Sequence, residues 1–313
     1  MTPEQFAREQ REFIIRTEKQ SAILLLAEFR ELKSEITQFL TTNLTGTITI
    51  QKITENAFLE RALDEIDVQI ERITNPFSRI VTRGQQRVIN FAAGALRRFL
   101  EIESDGIFSV DQPAAQKLIG RTQSGTSLSN FFRRLKQPLR EKAKEQLIEG
   151  FALGESSRKI AKRINDVADT GLARALGISR DSTVYAYRSA SIDFYKQTKS
   201  VSGFRFMSSL DVRTCIICWG LHGKIFKLKH KPFVHYQCRC AIIPVFSVEN
   251  NSIETGIEKF NKLEKGYQKQ ILSNKRFELF ENGNTLESFI SMKKSKEFGE
   301  IPFIKPLADL VSD

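Results

Sequence analysis

Leu25, Phe29, Leu32, Ile36 and Phe39 recur at intervals of four and three, which keeps one stripe of an α-helix apolar while charged residues of both signs take the other faces. The pattern predicts a helix opened by Pro3 and running to about Leu40. It breaks over Thr41–Ile50, where Thr47-Ile-Thr-Ile50 alternates and predicts a short strand or an extended linker. A second stripe of Leu59, Leu63, Ile66, Ile70 and Ile73 predicts a helix over about Glu55–Ile73. Asn75-Pro76 is expected to end it, because proline cannot continue the hydrogen-bond ladder. Val88, Ala92, Leu96 and Phe99 give a third helix over about Arg79–Glu103. Matching stripes on three helices imply a helical bundle or coiled-coil arm over residues 1–103.

Residues 104–138 are punctuated by Pro113, Gly120, Gly125 and Pro138, with Phe131–Leu135 as one short helical piece, and read as a linker region. Helical spacing returns at Leu139, Ala143, Leu147 and Phe151, and Gly154 marks a stop. Two further helices are predicted at Arg158–Val167 and about Arg180–Lys199, a helical hairpin. Ala173, Gly177 and Val184 loosely match the helix-turn-helix of DNA-binding regulators. The packing valine of that motif falls six residues after the glycine, whereas Val184 falls seven after, and about 100° of helical rotation moves it off the core.

Val201, Phe204 and Phe206 alternate with polar residues and read as a strand; Lys224–Phe226 and Ala241–Val245 are expected to pair with each other as short strands, with Pro244 at a sheet edge. Beyond Val248, a charged amphipathic helix is predicted over Ile257–Phe280, stopped by Asn282-Gly283. Asn284 and Glu287 suggest another short helix by a capping-box pattern. The rest of 249–313 reads as a helical C-terminal tail ending in an extended segment. The fold class expected is mainly α with a small α+β module.

The rare side chains alter this picture. All four cysteines, all three histidines and the single tryptophan lie between Cys215 and Cys240. Cys215-x2-Cys218 is the knuckle spacing that lets two thiolates reach one metal ion, and His235, Cys238 and Cys240 supply further donors. Zn²⁺ prefers four S or N ligands in a tetrahedron and can hold a small module together outright. Five candidates, Cys215, Cys218, His235, Cys238 and Cys240, compete for four places. Two disulfides or inert buried thiols are the competing readings. No Asp or Glu occurs from Val212 to Val248. That absence argues against a hydrolytic centre and for a closed structural one, so no enzyme activity and no small-molecule substrate is expected.

The chain carries 48 Lys and Arg against 37 Asp and Glu, a formal net charge of +11. An excess of this size favours contact with polyanions. Arg213, Lys224, Lys227, Lys229, Lys231 and Arg239 cluster around the cysteines and form a candidate nucleic-acid-facing patch; equally, they offset thiolate charge. Neither a secretory leader nor a membrane span is read from the hydropathy pattern.

Asp211-Val-Arg-Thr-Cys-Ile-Ile-Cys218, Leu221-His-Gly-Lys224 and His235-Tyr-Gln-Cys-Arg-Cys240 occur in that order. Together they resemble the phage minor head (head morphogenesis) proteins typified by the F protein of phage Mu, specifically over about residues 130–250. The resemblance implies a head morphogenesis domain at 139–248, with its Cys/His module at 200–248. It further implies a virion component made in the host cytoplasm and placed in the capsid near the portal vertex. Such a protein would contact the portal protein, the major capsid protein or both, with phage DNA as an optional further partner, in head assembly and DNA packaging or delivery. A sequence-nonspecific nucleic-acid-binding zinc protein is the alternative expectation.

Overall fold

The computed structural model describes residues 1–43, 57–100, 117–230, 235, 237–246, 253–295 and 299–310. The alternating Thr47–Ile50 segment and Lys231 therefore lie outside the described residues. The chain divides into two compact units, one of residues 1–17, 85–125 and 180–313, the other of 18–84 and 126–179.

Four helices dominate. Helix α1 spans Pro3–Asn43. Its start is a capping box in which Gln5 N–H donates to Thr2 Oγ1 and Thr2 N–H donates to Gln5 Oε1, 3.2 and 2.8 Å. Helix α2 spans Ala57–Leu100 without a break at Pro76. The expected stop fails because Ile73, Phe77 and Ile80 continue the buried stripe in register past the proline. Their burial outweighs the roughly 3 kcal/mol that an interior proline costs. Helix α3, Leu128–Ala152, crosses Pro138 in the same way, so the linker reading of its first half gives way to helix.

Helix α4 runs uninterrupted over Ser157–Gln197 where two helices were expected. It passes straight through Gly177, so the tight turn of a helix-turn-helix is absent. Ala175 and Ile178 are buried on either side of that glycine, keeping the helical ladder on an apolar face. Gly171 of α4 lies against Leu139 of α3, where a Cβ would come within 3.0 Å of the leucine side chain.

The 18–84 and 126–179 unit is all helix, and its apolar stripes meet at Phe29, Phe77 and Phe132. Lys33–Asp169 and Arg140–Asp67, both 2.8 Å, edge that core.

The other unit holds the sheets. Strand β1, Val201–Met207, is central, with β2, Ile225–Lys227, and β3, Ala241–Phe246, antiparallel on either side. The two outer strands thus pair with β1 rather than with each other. Pro244 does sit on an edge strand, opposite Phe204. Gly203 is required in β1, because a Cβ there would lie 2.7 Å from the carbonyl oxygen of Phe226.

The C-terminal region is not a plain helical tail. Helices α5 (Ile216–Leu221), α6 (Gly256–Asn261) and α7 (Lys265–Glu281) are followed by a 3-10 turn at Glu287–Phe289. A hairpin of β4, Ile290–Ser295, and β5, Gly299–Ile304, comes next and was not anticipated. Ile216 and Trp219 of α5 share one apolar cluster with Phe260, Leu272, Phe277, Leu286 and Phe289. The segment after Val248 therefore buries the outer face of the cysteine module.

Candidate metal centre

The module is assembled by turns. After β1, Asp211 closes a turn, accepting at Oδ1 from Arg213 N–H at 2.8 Å, while Asp211 N–H donates to Thr214 Oγ1 at 3.0 Å. That turn delivers Cys215 to the N-cap of α5, and Cys218 follows three residues on, within the first turn. Ser208 Oγ donates to the Cys218 carbonyl at 3.0 Å and ties the knuckle back to β1. On the other limb, Cys238 N–H donates to His235 O at 3.1 Å, and Gln237 takes a left-handed φ of 61° to make the bend. Cys240 then leads directly into β3.

The five predicted donors come together. His235 Nε2 lies 2.9 Å from Cys218 Sγ and 3.4 Å from Cys215 Sγ. Cys218 Sγ lies 3.9 Å from Cys238 Sγ and 3.1 Å from Cys240 Sγ. Two groups could each hold an ion, Cys215–Cys218–His235 and Cys218–Cys238–Cys240, and Cys218 is common to both. Zn–S bonds of about 2.3 Å put tetrahedral ligands roughly 3.8 Å apart, close to the spacings found around Cys218. All are buried except Cys215, which is partly exposed. The donor set is sulfur and imidazole, suited to a soft or borderline divalent cation.

The charges are arranged to match. Cys218 donating to its sulfur, with His235 beyond, pulls the Cys215 thiol down to about 5 against the opposing effect of burial. Burial opposes ionisation of Cys238 too, yet bonds from Cys218 and Cys240 and the charges of Arg188 and His235 hold it well below the usual thiol value. Burial disfavours charge on His235, but the neighbouring thiolates prevail and raise it.

Arg188, on α4, was missed by the sequence reading. Its Nη2 donates to Cys238 Sγ at 2.9 Å and to the Cys240 carbonyl at 2.8 Å, and its guanidinium lies 5.0 Å from the Phe206 ring centroid. One signal was available: it is the only charged residue from Ser182 to Ile192, a stretch of the helix in which all but Tyr185 are buried. Nearby, Asp181 accepts from Gln237 N–H at 3.1 Å and is pushed up to about 7 by burial.

The remaining histidines stand apart. His222 Nδ1 accepts from Ser208 N–H at 3.1 Å within the adjoining packing, and exposed His230 meets Phe226 edge-on. Of the basic residues, Arg213, Lys227, Lys229 and Arg239 are exposed, whereas Lys224 is half-buried and pairs with Glu287 at 2.8 Å.

The geometry defines a helical protein carrying a small sheet gathered on a Cys/His cluster. Residues 141–243 match the family described as Phage Mu protein F like protein. Over that third of its length, which takes in the second half of α3, all of α4, β1, β2, the start of β3 and the whole cluster, the chain is similar to phage head morphogenesis proteins. No curated protein and no solved structure matches. No described helix is long and apolar enough to cross a membrane.

Proposed function

We propose that this chain is a structural minor head protein of a tailed phage or prophage. It acts at the portal vertex, in head assembly and in packaging or delivery of DNA, and contacts the portal protein, the major capsid protein or both. The observation that carries the reading is the family match, because the matched segment contains the complete Cys/His cluster and the helix packed on it. Within that reading Zn²⁺ occupies the cluster and staples the strands to α5. The site is structural rather than catalytic, since among the described residues the donor groups hold no carboxylate and most are buried. Purified particles or portal complexes test the reading directly. The polypeptide should co-purify with portal rings at high salt, in a few copies per particle, and its absence from assembled heads would overturn the proposal.

A second reading is favoured by the exposed Arg213, Lys227, Lys229 and Arg239, namely sequence-independent contact with the packaged genome. It predicts duplex DNA affinity that falls steeply with salt, by a logarithmic slope of about 0.9 per phosphate contacted. Replacing Lys227 and Lys229 with Gln should flatten that slope. An unchanged slope would remove these residues from the interface.

A further inference from the structure

A buried cation touches the cluster. Arg188 is 1% exposed, and it reaches the cluster from the C-terminal third of a 41-residue helix rather than from the loops that carry the donors. A buried guanidinium without a partner is prohibitively costly, so a charge at this position requires a permanent negative counterpart. The counterpart is the Cys238–Cys240 limb. One guanidinium nitrogen donates both to the Cys238 sulfur at 2.9 Å and to the Cys240 carbonyl at 2.8 Å, with Nε also on that carbonyl at 3.3 Å.

The ring of Phe206, 5.0 Å away on β1, covers one side of the group. Helix, central strand and metal-binding limb thus converge on this side chain. Tyr195, two turns further along the same helix, donates to the Ile242 carbonyl at 3.1 Å and holds the start of β3 to α4 as well. The helix therefore holds this limb through two of its side chains.

We propose that Arg188 is the positioning residue of the metal centre: it fixes the Cys238 thiolate and offsets one negative charge, so that the site takes a divalent cation through three thiolates and the His235 imidazole. This rests on the metal reading above. A divalent ion with three thiolates and an imidazole carries one net negative charge, which one guanidinium cancels. Four thiolates would leave an uncompensated charge in a buried site. Hydrogen bonds to a ligating sulfur also orient it and moderate its donation to the metal, the usual contribution of groups that contact a ligand but not the ion.

Cobalt(II) titration of the full chain tests this, with Arg188→Met and Arg188→Lys beside the unsubstituted protein. The unsubstituted chain should bind one equivalent, with tetrahedral ligand-field bands and a sulfur-to-cobalt charge-transfer band. Arg188→Met should weaken affinity by about 10–100-fold and shift the charge-transfer band, because the sulfur loses its donor. Arg188→Lys should recover part of the affinity, since it keeps the charge but lacks the planar fork that spans sulfur and carbonyl.

A residue with only a packing role would lower the melting temperature without moving the band or the affinity, and that outcome overturns the inference. If the methionine variant does not fold, the lysine variant and cadmium-113 NMR of the unsubstituted chain decide it. Three sulfurs on cadmium are expected; two or four overturn it. Failure of the unsubstituted protein to bind either ion would overturn the metal reading along with this inference, whereas tight binding unaffected at position 188 overturns this inference alone.

Discussion

Gly256 packs so closely on Trp219 that a Cβ would overlap the tryptophan's carbonyl oxygen and press on the Cβ of His222. Gly256 N–H also donates to the His222 carbonyl at 2.9 Å, so the first residue of α6 is bonded to the C-terminal end of α5. This contact joins the cysteine module to the elements that follow it. Gly256→Ala must push the two helices apart, and overpacking of this kind costs roughly 1–3 kcal/mol. Trp219 is the only tryptophan and lies in the affected cluster, so its fluorescence reports the change. Denaturant unfolding followed at that residue should show a lower midpoint; an unchanged midpoint would mean the contact is not formed.

The two candidate ion-holding groups overlap only at Cys218. Cys218→Ser should therefore abolish metal binding, while Cys240→Ser should weaken it less if three thiolates suffice. Apparent binding free energies of structural zinc sites are on the order of 10–16 kcal/mol. Loss of the ion should then unfold residues 200–246 while the helices of residues 18–84 and 126–179 persist. Metal analysis by mass spectrometry with far-ultraviolet circular dichroism checks both halves. Equal metal content in the two variants would refute the ranking.

Much of this arrangement was legible from one dimension. The Cys215-x2-Cys218 and His235-x2-Cys238-x-Cys240 spacings brought all five donors to one place because short turns, here those at Asp211 and Gln237, leave few other paths. Stripes such as Leu25–Phe29–Leu32–Ile36 marked helix faces correctly, since period alone fixes which side is buried. What could not be read was long-range. Arg188 lies fifty residues from Cys238, and no local pattern says which buried sulfur meets a buried cation. The β4–β5 hairpin was missed because Lys293, Lys294 and Pro302 lie in the stretch read as a tail ending in an extended segment. Only the pairing of Lys293 with Ile301, Lys294 with Glu300 and Met292 with Pro302, with Ile290 and Ile304 packed on the cluster that α5 shares, makes them strands.

His222 predicts an acid sensitivity distinct from that of the thiolates. Burial, reinforced by Lys259, lowers its pKa from 6.5 to about 4. Above pH 6.5 the imidazole is neutral whether the chain is folded or not, and it exacts no penalty. Between 6.5 and 4 the unfolded chain binds the proton first, so stability falls as pH falls through that window. Each tenfold change in the proton equilibrium is worth about 1.4 kcal/mol. His222→Asn keeps an acceptor for Ser208 N–H but cannot titrate. The difference in melting temperature between the two proteins, measured with the same metal content, should be independent of pH above 7 and change in favour of the variant below 6. A difference constant down to pH 4 would exclude His222 as the titrating group.

Pro76 marks a place where local preference and packing disagree. Its neighbours Ile73, Phe77 and Ile80 are buried, yet the proline itself is only partly covered, so its ring contributes little to the core. It removes a backbone donor and crowds the preceding turn, at a cost of about 3 kcal/mol in a helix interior. Pro76→Ala restores that hydrogen bond to the carbonyl of Arg72. Against the gain stands the greater freedom of the unfolded chain, roughly 0.4–1 kcal/mol. The balance predicts a stabilisation of about 2–2.6 kcal/mol, with Phe77 still seated between Phe29 and Phe132. Urea unfolding of the full chain by far-ultraviolet circular dichroism should show the shift. A destabilised variant would mean that a bend at Pro76 is needed to bring Phe77 onto its partners, and that the helix tolerates the proline for its shape rather than in spite of it.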